Sequence, residues 1–349
     1  MLCNAYRAYG RFRWWSGNNR RDHGADGSAT RQQAGRKRLC PGVSNAVLTR
    51  APATVARPVG RLLGRLVSLS AACALVACAA STGSTPDPTC ARSACRDGDA
   101  ARTVVSLTFD DAYQNQWLYA VPLLQAQHML ATFYVITSDS DGPYACCMSW
   151  TQLRTLQRYG HDVGSHTITH PYLTRISEAQ ARREVCGSRR DMQQKGIRDP
   201  TSFAYPFGTY DAAAERVARE CGFTNARVGG GISSSNSVPG PPYAERLPAV
   251  DPFAVRTIAV DGSDPIKLAD LERFVRATAA HGGGWLPITF HNVCDSYASD
   301  YERCMTSYGP IDDGVLAQFL SWLRTSGQPG GAPAGLVVET MRDAIRHRG

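Results

Sequence analysis

Five side chains in three short segments suit metal-assisted hydrolysis. Asp110 and Asp111 are adjacent carboxylates at the end of an apolar run, and His166 and His170 stand four residues apart. His291 ends another apolar run. One carboxylate and two imidazoles form a ligand set for a divalent metal, and the remaining acid and base can move protons.

The two adjacent carboxylates carry much of this interpretation. Like charges this close repel each other unless a cation or a proton compensates. The alternative is that Asp111 caps a turn and that the two imidazoles are solvated in a polar loop. The coincidence of the Asp pair with the His pair favours the metal site.

The positive charge of the chain is confined to its N-terminal part. The 349 residues include 38 basic and 30 acidic ones. Residues 1–77 have a net charge of +11 (13 basic, 2 acidic), and the remainder has −3 (25 basic, 28 acidic). The basic excess therefore does not indicate nucleic-acid binding by the folded part.

The N-terminal 101 residues divide into three segments. Residues 1–56 are predicted to be disordered or to lie upstream of the natural product. Residues 57–78 resemble a signal peptide, with three arginines before a short apolar stretch and a lipobox-like end at Cys78. A lipid on Cys78 would anchor the protein to a membrane, and the alternative is a plain secretory signal. Residues 79–101 are predicted to be a tether.

Cysteine usage agrees with export. The chain has 12 cysteines, and eight of them follow Cys78. An even number favours disulfides in an oxidising compartment. Adjacent cysteines are harder to join because vicinal bridges are strained, which concerns the pair at 146 and 147. The candidate pairs, in order, are Cys294 with Cys304, Cys186 with Cys221, and Cys90 with Cys95.

From residue 102 onward, apolar β-type runs alternate with helical patterns about seven times, which predicts one α/β domain with a parallel sheet in a closed or nearly closed barrel. Catalytic groups in such folds lie at the C-terminal ends of strands, where the Asp pair and His291 are expected. The predicted strands are 103–109, 131–136, 161–165, 201–205, 285–290 and 335–338, and the predicted helices are 117–127, 150–159, 177–196, 211–221, 268–280 and 311–325.

Together the motifs resemble those of the polysaccharide deacetylases, the NodB-homology domain of carbohydrate esterase family 4. The TFDD motif stands at residues 108–111, the His-Thr-Ile-Thr-His motif at 166–170, and an apolar-x-His element at 289–291. The resemblance covers about residues 102–340. It implies a single-domain distorted (β/α) barrel of about seven strands, assigned here to residues 102–345.

The resemblance also implies a role for each motif residue. Asp111, His166 and His170 would hold a divalent metal, zinc first, with cobalt or nickel as alternatives. Asp110 would be the general base that activates the attacking water. His291 would be the general acid that protonates the leaving amine.

The third family motif departs from its usual form, Arg-x-Pro-Tyr-Gly. Ala204 replaces the arginine that orients the base, whereas Phe207 keeps the aromatic position whose backbone N–H holds the oxyanion. Tyr205 is a further candidate for substrate contact. We expect either an inactive protein or another cation in the arginine's place, and we predict that Arg256 pairs with Asp110.

Two more departures concern the region around His291. The usual Asp-Trp of the fourth motif is missing, so Asp251 becomes the candidate partner of His291. Thr289 replaces an apolar residue two positions before His291 and is expected to alter the pocket for the acetyl methyl group.

The sequence therefore predicts an exported, metal-dependent hydrolase that removes N-acetyl groups from an envelope or extracellular polysaccharide. One alternative is an inactive envelope lipoprotein that binds glycan. Another is an esterase or amidase of the same fold with a different acyl substrate. The implied partners are an N-acetylated glycan and the membrane, through Cys78, with no nucleic acid and no protein partner implied.

Overall fold

The computed structural model describes residues 102–141, 146–232, 243–260 and 265–347. The predictions for residues 1–56, 57–78 and 79–101, including those for Cys78 and for Cys90 with Cys95, lie outside these ranges. Seven strands of the eight-stranded main sheet form the barrel: β1 (Thr103–Phe109), β2 (Thr132–Val135), β3 (Asp162–Ser165), β4 (Ser202–Ala204), β5 (Asn225–Gly231), β6 (Val255–Ala259) and β7 (Gly284–Phe290). Three short strands follow: β8 (Asn292–Cys294), β9 (Pro310–Asp312) and β10 (Leu336–Val338).

The seven strands close into a parallel barrel. Each pairs with the next in chain order, and β7 pairs with β1 along its whole length, from Thr103 opposite Gly284 to Phe109 opposite Phe290. The other edge of β1 is shared, since β10 occupies its beginning and β2 its end. This shared edge distorts the barrel. The predicted (β/α) barrel is confirmed.

Helices connect most of the strands and cover the outside of the barrel. They are α1 (Val121–Ala126), α2 (Trp150–Arg158), α3 (Glu178–Gln194), α4 (Ala212–Glu220), α5 (Leu268–Ala280), α6 (Tyr301–Met305), α7 (Asp313–Leu323) and α8 (Met341–Ala344). Helix α3 begins with a capping box, in which the side chains of Ser177 and Gln180 each accept a hydrogen bond from the other's backbone N–H. None of the helices in the described ranges is long and apolar enough to cross a membrane.

Strand alternation on β1 determines what Asp110 faces. Val105, Leu107 and Phe109 belong to the large apolar cluster shared with the outer helices. Val104 belongs instead to a small cluster with one side chain each from β2, β4, β6 and β7, which is the barrel interior. Because alternate side chains of a strand point to opposite sides, Asp110 continues the inward row at the C-terminal end.

Two barrel strands were not predicted from the sequence. The glycine-rich stretch from residue 229 is absent from the predicted strands, but β5 continues through Gly231. The stretch before Arg256 was interpreted only as a motif, although β6 covers Val255–Ala259. Glycine has weak β-propensity, and β6 is only five residues long, so neither gives a strong strand signal in the sequence.

Candidate active site

The loop after β1 presents the two carboxylates. Asp110 N–H donates to the Phe290 carbonyl at 3.0 Å, which extends the β1–β7 pairing by one residue. Asp111 then adopts a left-handed conformation, with φ of 67°, so the two carboxylates diverge. Gln116 joins the two catalytic strand ends, because its amide N–H group donates to the carbonyls of Asp110, at 2.5 Å, and His291, at 2.8 Å.

The two histidines of the second motif converge beside Asp111. His166 Nδ1 lies 2.8 Å from the Ala204 carbonyl on the neighbouring strand, which directs Nε2 to the site. The Nε2 atoms of His166 and His170 lie 3.7 Å and 3.9 Å from Asp111 Oδ1, and 3.1 Å from each other. Glu184 of α3 accepts hydrogen bonds from the backbone of Ile168 and Thr169 within this loop.

These three residues fit a divalent metal. Their ligand atoms all lie within 4.8 Å of one another, and Asp111 Oδ1 is buried without a hydrogen-bond partner among the described residues. Burial lowers the pKa of His166 to about 3 and that of His170 to about 4. Both imidazoles are therefore neutral near pH 7, which is the form that coordinates a metal. One carboxylate and two imidazoles are common ligands for zinc.

Asp110 is paired with Arg227, which the sequence analysis missed. Arg227 of β5 is fully buried and donates from its guanidinium to Asp110 Oδ1. Burial alone would raise the pKa of Asp110, but the adjacent Arg227 guanidinium, through its charge and its hydrogen bond, and the neighbouring His166 and His291 rings outweigh it and lower that pKa to about 2. Asp110 is therefore ionised, and Arg227 supplies the cation that Ala204 cannot.

The prediction that Arg256 pairs with Asp110 is wrong. Arg256 of β6 donates instead to both carboxylate oxygens of Glu245, at 2.5 Å and 3.0 Å. The signal for Arg227 was available in the sequence as a lone cation in an otherwise uncharged stretch after the glycine that ends α4. The sequence contains no signal that pairs Arg227 with Asp110, 117 positions earlier.

His291 lies on the other side of Asp110. Its Nε2 atom is 3.8 Å from Asp110 Oδ2. Its Nδ1 atom is buried and has no hydrogen-bond partner among the residues that the structure describes. The proposed partner is wrong, since Asp251 bonds Arg219 and the backbone of Phe253.

Tyr308 takes up the position beside the His291 ring. The two ring centroids are 4.7 Å apart, with an interplanar angle of 79°. Asn292 holds this loop, because its side chain donates to the Tyr308 carbonyl at 2.9 Å. Gly309 follows with φ of 56°, and a Cβ there would meet His291 Nδ1 at 2.9 Å. Ring packing thus replaces the expected carboxylate contact.

The third motif forms a wall of the site. Phe207 has a left-handed φ of 57° and stacks on Tyr172 at a centroid distance of 3.7 Å. Gly208 and Gly229 touch backbone to backbone, and a Cβ on Gly208 would lie 2.3 Å from Gly229 N. The expected substrate contact of Tyr205 is wrong, because its ring is fully buried and its hydroxyl donates to the Phe253 carbonyl.

One small pocket gathers most of the predicted residues. It has a volume of about 50 Å³ and is lined by Phe207 and all five predicted metal and acid–base residues. Thr289, Arg227 and Tyr308 also line this pocket. The Thr289 hydroxyl oxygen accepts a hydrogen bond from the Thr108 hydroxyl at 3.1 Å, so it is engaged within the barrel.

Both leading disulfide candidates are present. Cys186 is bonded to Cys221, which ties α3 to the end of α4. Cys294 is bonded to Cys304 across ten residues, which ties β8 to α6. The second bridge lies in the segment between His291 and Tyr308.

Comparison with known proteins agrees with the motifs. Residues 97–226 match the sequence profile of the polysaccharide deacetylase family. The Bacillus subtilis (strain 168) protein named "Putative polysaccharide deacetylase YxkH" is 25% identical over 128 residues, 37% of this chain and 45% of that protein. An uncharacterized Streptomyces coelicolor protein is 30% identical over 122 residues, 35% of this chain and 46% of that protein. The chain spans less than half the length of either relative.

Among solved structures, a variant of the peptidoglycan deacetylase PdaC of Bacillus subtilis has a TM-score of 0.43 and 15% identity, over 70% of this chain and 91% of that one. The fold is a closed parallel α/β barrel, and the sequence match places residues 97–226 beside the polysaccharide deacetylases. Residues 97–226 are similar to a polysaccharide deacetylase domain, and the resemblance drawn from the motifs is confirmed over that range. His291 lies beyond the matched residues.

Proposed function

We propose that the protein is a metal-dependent deacetylase that removes N-acetyl groups from an N-acetylated glycan. The observation that carries this proposal is the convergence of Asp111, His166 and His170 within 4.8 Å, beside an Asp110–His291 pair in the same pocket. A glycan-binding protein needs no such acid–base pair. The polysaccharide deacetylase domain supports the substrate class.

The chain's own residues supply the proton transfers. Asp110 is held ionised by Arg227, with Oδ2 directed towards the site, so it can accept a proton from the attacking water. His291 faces the same oxygen from the other side and can donate a proton to the departing amine nitrogen. A neutral amine is a far better leaving group than an amide anion.

Asp111, His166 and His170 would hold the metal. Burial, together with the nearby Asp110 charge, raises the pKa of Asp111 to about 6. A divalent cation would compensate the negative charge of both carboxylates. When bound, the metal supplies Lewis-acid polarisation of the acyl carbonyl and lowers the pKa of water. Zinc is the first candidate, with cobalt or nickel as alternatives.

The inactive glycan-binding alternative rested on Ala204. The Arg227–Asp110 pair removes that basis, since a buried cation contacts the base from another strand. The esterase alternative is distinguished by its product, because hydrolysis of an N-acetyl group leaves an amine and hydrolysis of an ester leaves a hydroxyl.

The test is acetate release from N-acetylglucosamine oligomers, peptidoglycan and O-acetylated xylan by the purified full chain. We expect acetate from an N-acetylated substrate, loss of activity with a chelator, and recovery with zinc or cobalt. Asp110→Asn should keep metal binding but lower kcat by about 10²-fold or more. The matched control is Asp139→Asn, outside the pocket, which should retain kcat.

Three results would contradict the proposal. Metal-replete protein that releases no acetate from any N-acetylated substrate would support a binding protein instead. Acetate only from O-acetylated xylan would support the esterase. Unchanged kcat in Asp110→Asn would remove Asp110 as the base.

We also propose that the protein is exported and anchored to a membrane through lipidated Cys78. The apolar segment before Cys78 and the two disulfides support this location. The test is fatty-acid labelling of the full chain in a bacterial host, compared with Cys78→Ala. Labelling that persists in the variant would contradict the anchor, and export without labelling would support a plain secretory signal.

A further inference from the structure

Two adjacent cysteines meet next to the loop that carries the catalytic carboxylates. The Sγ atoms of Cys146 and Cys147 are 2.8 Å apart, and both residues are half-buried. Non-bonded heavy atoms pack at about 3.5–4.0 Å, so these sulfurs are closer than ordinary contact allows. The two sulfurs are not bonded at this distance, but the local backbone already holds them close to each other.

We propose that Cys146 and Cys147 are joined by a vicinal disulfide that supports the Asp110–Asp111 loop. The chain already contains the Cys186–Cys221 and Cys294–Cys304 bridges, so it matures where thiols are oxidised. A vicinal bridge is strained, so its formation costs free energy. The observed sulfur approach indicates that the local backbone accommodates it.

The bond would form by thiol–disulfide exchange with an external disulfide. One cysteine thiolate attacks that disulfide, forms a mixed disulfide and releases one thiolate. The second cysteine thiolate then attacks its neighbour's sulfur and releases the other thiolate. Two cysteine thiols are oxidised, the external disulfide is reduced to two thiols, and the two protons end on those thiols or in solvent.

The supporting role follows from three backbone contacts. Gln114 N–H donates to the Cys146 carbonyl at 2.8 Å, and Met148 N–H donates to the Ala112 carbonyl at 2.8 Å. Between these bonds, Cys147 forms an antiparallel bridge with Tyr113. The cysteine segment is thus paired with the residues directly after Asp111.

That loop needs support because its backbone is unusual. Asp111 and Ala112 have consecutive left-handed φ values of 67° and 50°, which cost energy for residues other than glycine. A cross-link between Cys146 and Cys147 restricts the segment that pairs with this loop. The part of the inference that concerns metal binding and activity rests on the proposed function, whereas the bridge itself does not.

Peptide mapping tests the bridge directly. Trypsin releases one peptide from Thr103 to Arg154, in which Cys146 and Cys147 are the only cysteines. After alkylation of the denatured, unreduced full chain, we expect this peptide without alkyl groups and two hydrogen masses below the dithiol form. The linked peptides 184–189 and 220–227, which contain Cys186 and Cys221, serve as the internal control.

A doubly alkylated 103–154 peptide, in a sample where 184–189 and 220–227 remain linked, would overturn the bridge. A graded dithiothreitol series adds a second measurement. Adjacent Cα atoms are about 3.8 Å apart, below the usual disulfide range, so this bridge should open at a lower reductant concentration than Cys186–Cys221. Simultaneous opening would contradict the vicinal assignment.

The supporting role is tested by zinc affinity, which needs no substrate. In the C146S/C147S double variant we expect the zinc Kd to rise about tenfold, with a parallel fall in kcat. C186S/C221S, which removes a bridge between α3 and α4, is the matched control and should keep the wild-type Kd. Partial reduction of the wild-type chain should reproduce the shift without a substitution.

The outcomes separate the two claims. An unchanged zinc Kd in C146S/C147S and in the partially reduced chain would overturn the supporting role. A wild-type chain that binds no zinc and releases no acetate would contradict the proposed function, while the peptide masses would still decide whether the bridge exists.

Discussion

Asp110 and Arg227 form a buried ion pair. The sequence motifs identified Asp110 but not Arg227. The pair keeps Asp110 ionised and fixes which of its oxygens faces the site. Loss of one partner from a buried pair leaves an uncompensated charge, which typically costs about 3–5 kcal/mol. We therefore expect Arg227 to contribute to stability and, under the proposed function, to catalysis.

We expect Arg227→Met to lower kcat by about 10²-fold, because the base loses its orientation, and to lower the free energy of unfolding. The matched control is Arg256→Met on the neighbouring strand, whose partner is Glu245. Steady-state acetate release and urea unfolding measure both effects. Equal losses of kcat in the two variants would contradict the assignment of Arg227 to Asp110.

Tyr308 is the second residue that long-range folding adds to the site. Its ring contacts the His291 ring, whose Nδ1 atom has no hydrogen-bond partner in the described part of the chain. We expect Tyr308→Leu to lower kcat by roughly 10-fold to 100-fold, because small misplacements of a reacting group cost this much. Tyr308→Phe keeps the ring and should restore most of the activity.

Tyr297 provides the control for Tyr308, since it lies within the Cys294–Cys304 loop but is 95% exposed. Tyr297→Leu should leave kcat unchanged. A fall in kcat that is as large in Tyr308→Phe as in Tyr308→Leu would assign the effect to the hydroxyl rather than to ring packing.

The sequence predicted the metal residues better than the supporting ones for a physical reason. His166 and His170 are neighbours on one loop, and Asp111 directly follows a strong apolar strand, so local spacing was enough. Arg227 and Tyr308 reach the site only because the barrel closes. Their pairings depend on which strands are adjacent, and single-residue types in the sequence do not encode that.

Among the elements, the strands with strong apolar content were predictable and the others were not. β1 and β7 are buried runs that pair along seven residues, and their ranges in the structure agree with the prediction to within one residue. β5 ends in three glycines, Gly229–Gly231, which have weak β-propensity. Its place in the sheet comes from β4 and β6 on either side.

His161 illustrates how one element boundary depends on a buried imidazole. It stands directly before β3 and is 1% exposed, and its Nδ1 atom accepts a hydrogen bond from Ala131 N–H before β2. Burial lowers the pKa of His161 from 6.5 to about 4. The imidazole therefore takes part in the packing between the beginnings of β2 and β3.

The lowered pKa makes the stability of the fold depend on pH. Below pH 6.5 His161 is protonated in the unfolded chain, whereas in the folded chain it becomes protonated only near pH 4. Stability is therefore lost as pH falls through this window, by up to about 3 kcal/mol. His161→Asn keeps a hydrogen-bond acceptor near the position of Nδ1 but cannot be protonated. Between pH 6.5 and pH 4 the variant should therefore lose about 3 kcal/mol less free energy of unfolding than the wild type.

Urea unfolding at pH 7 and pH 4.5 measures the difference. His128→Asn, at an exposed position just before β2, is the control and should follow the wild-type pH dependence. Identical pH dependence in His161→Asn and the wild type would show that His161 does not cause the effect.

At the scale of the whole molecule, the site exists only when the barrel is closed. Asp110 and His291 are 181 residues apart in sequence, yet each follows one of the two strands that meet at the closure. The proposed metal ligands follow β1 and β3, which both pair with β2 in the same barrel. The alternation of strands and helices predicted the barrel, whereas its register and closing pair needed the structure.

This coupling predicts that metal binding and folding stability are linked. A ligand that binds only the folded state at 100 times its Kd adds about 2.7 kcal/mol to the free energy of unfolding. We therefore expect zinc at that excess to raise the free energy of unfolding of the wild type by about this amount. In Asp111→Asn the increment should largely vanish, because the variant lacks the carboxylate that faces both imidazoles.

Asp139→Asn controls for the loss of a nearby carboxylate outside the pocket, and it should keep the full increment. The titration is followed by urea unfolding with and without zinc, after the disulfides have been checked. Unfolded cysteines also bind zinc and would reduce the increment in every variant equally, so the comparison between Asp111→Asn and Asp139→Asn is the decisive one. Equal increments in these two variants would mean that zinc stabilises the protein at another place, and the metal assignment would be wrong.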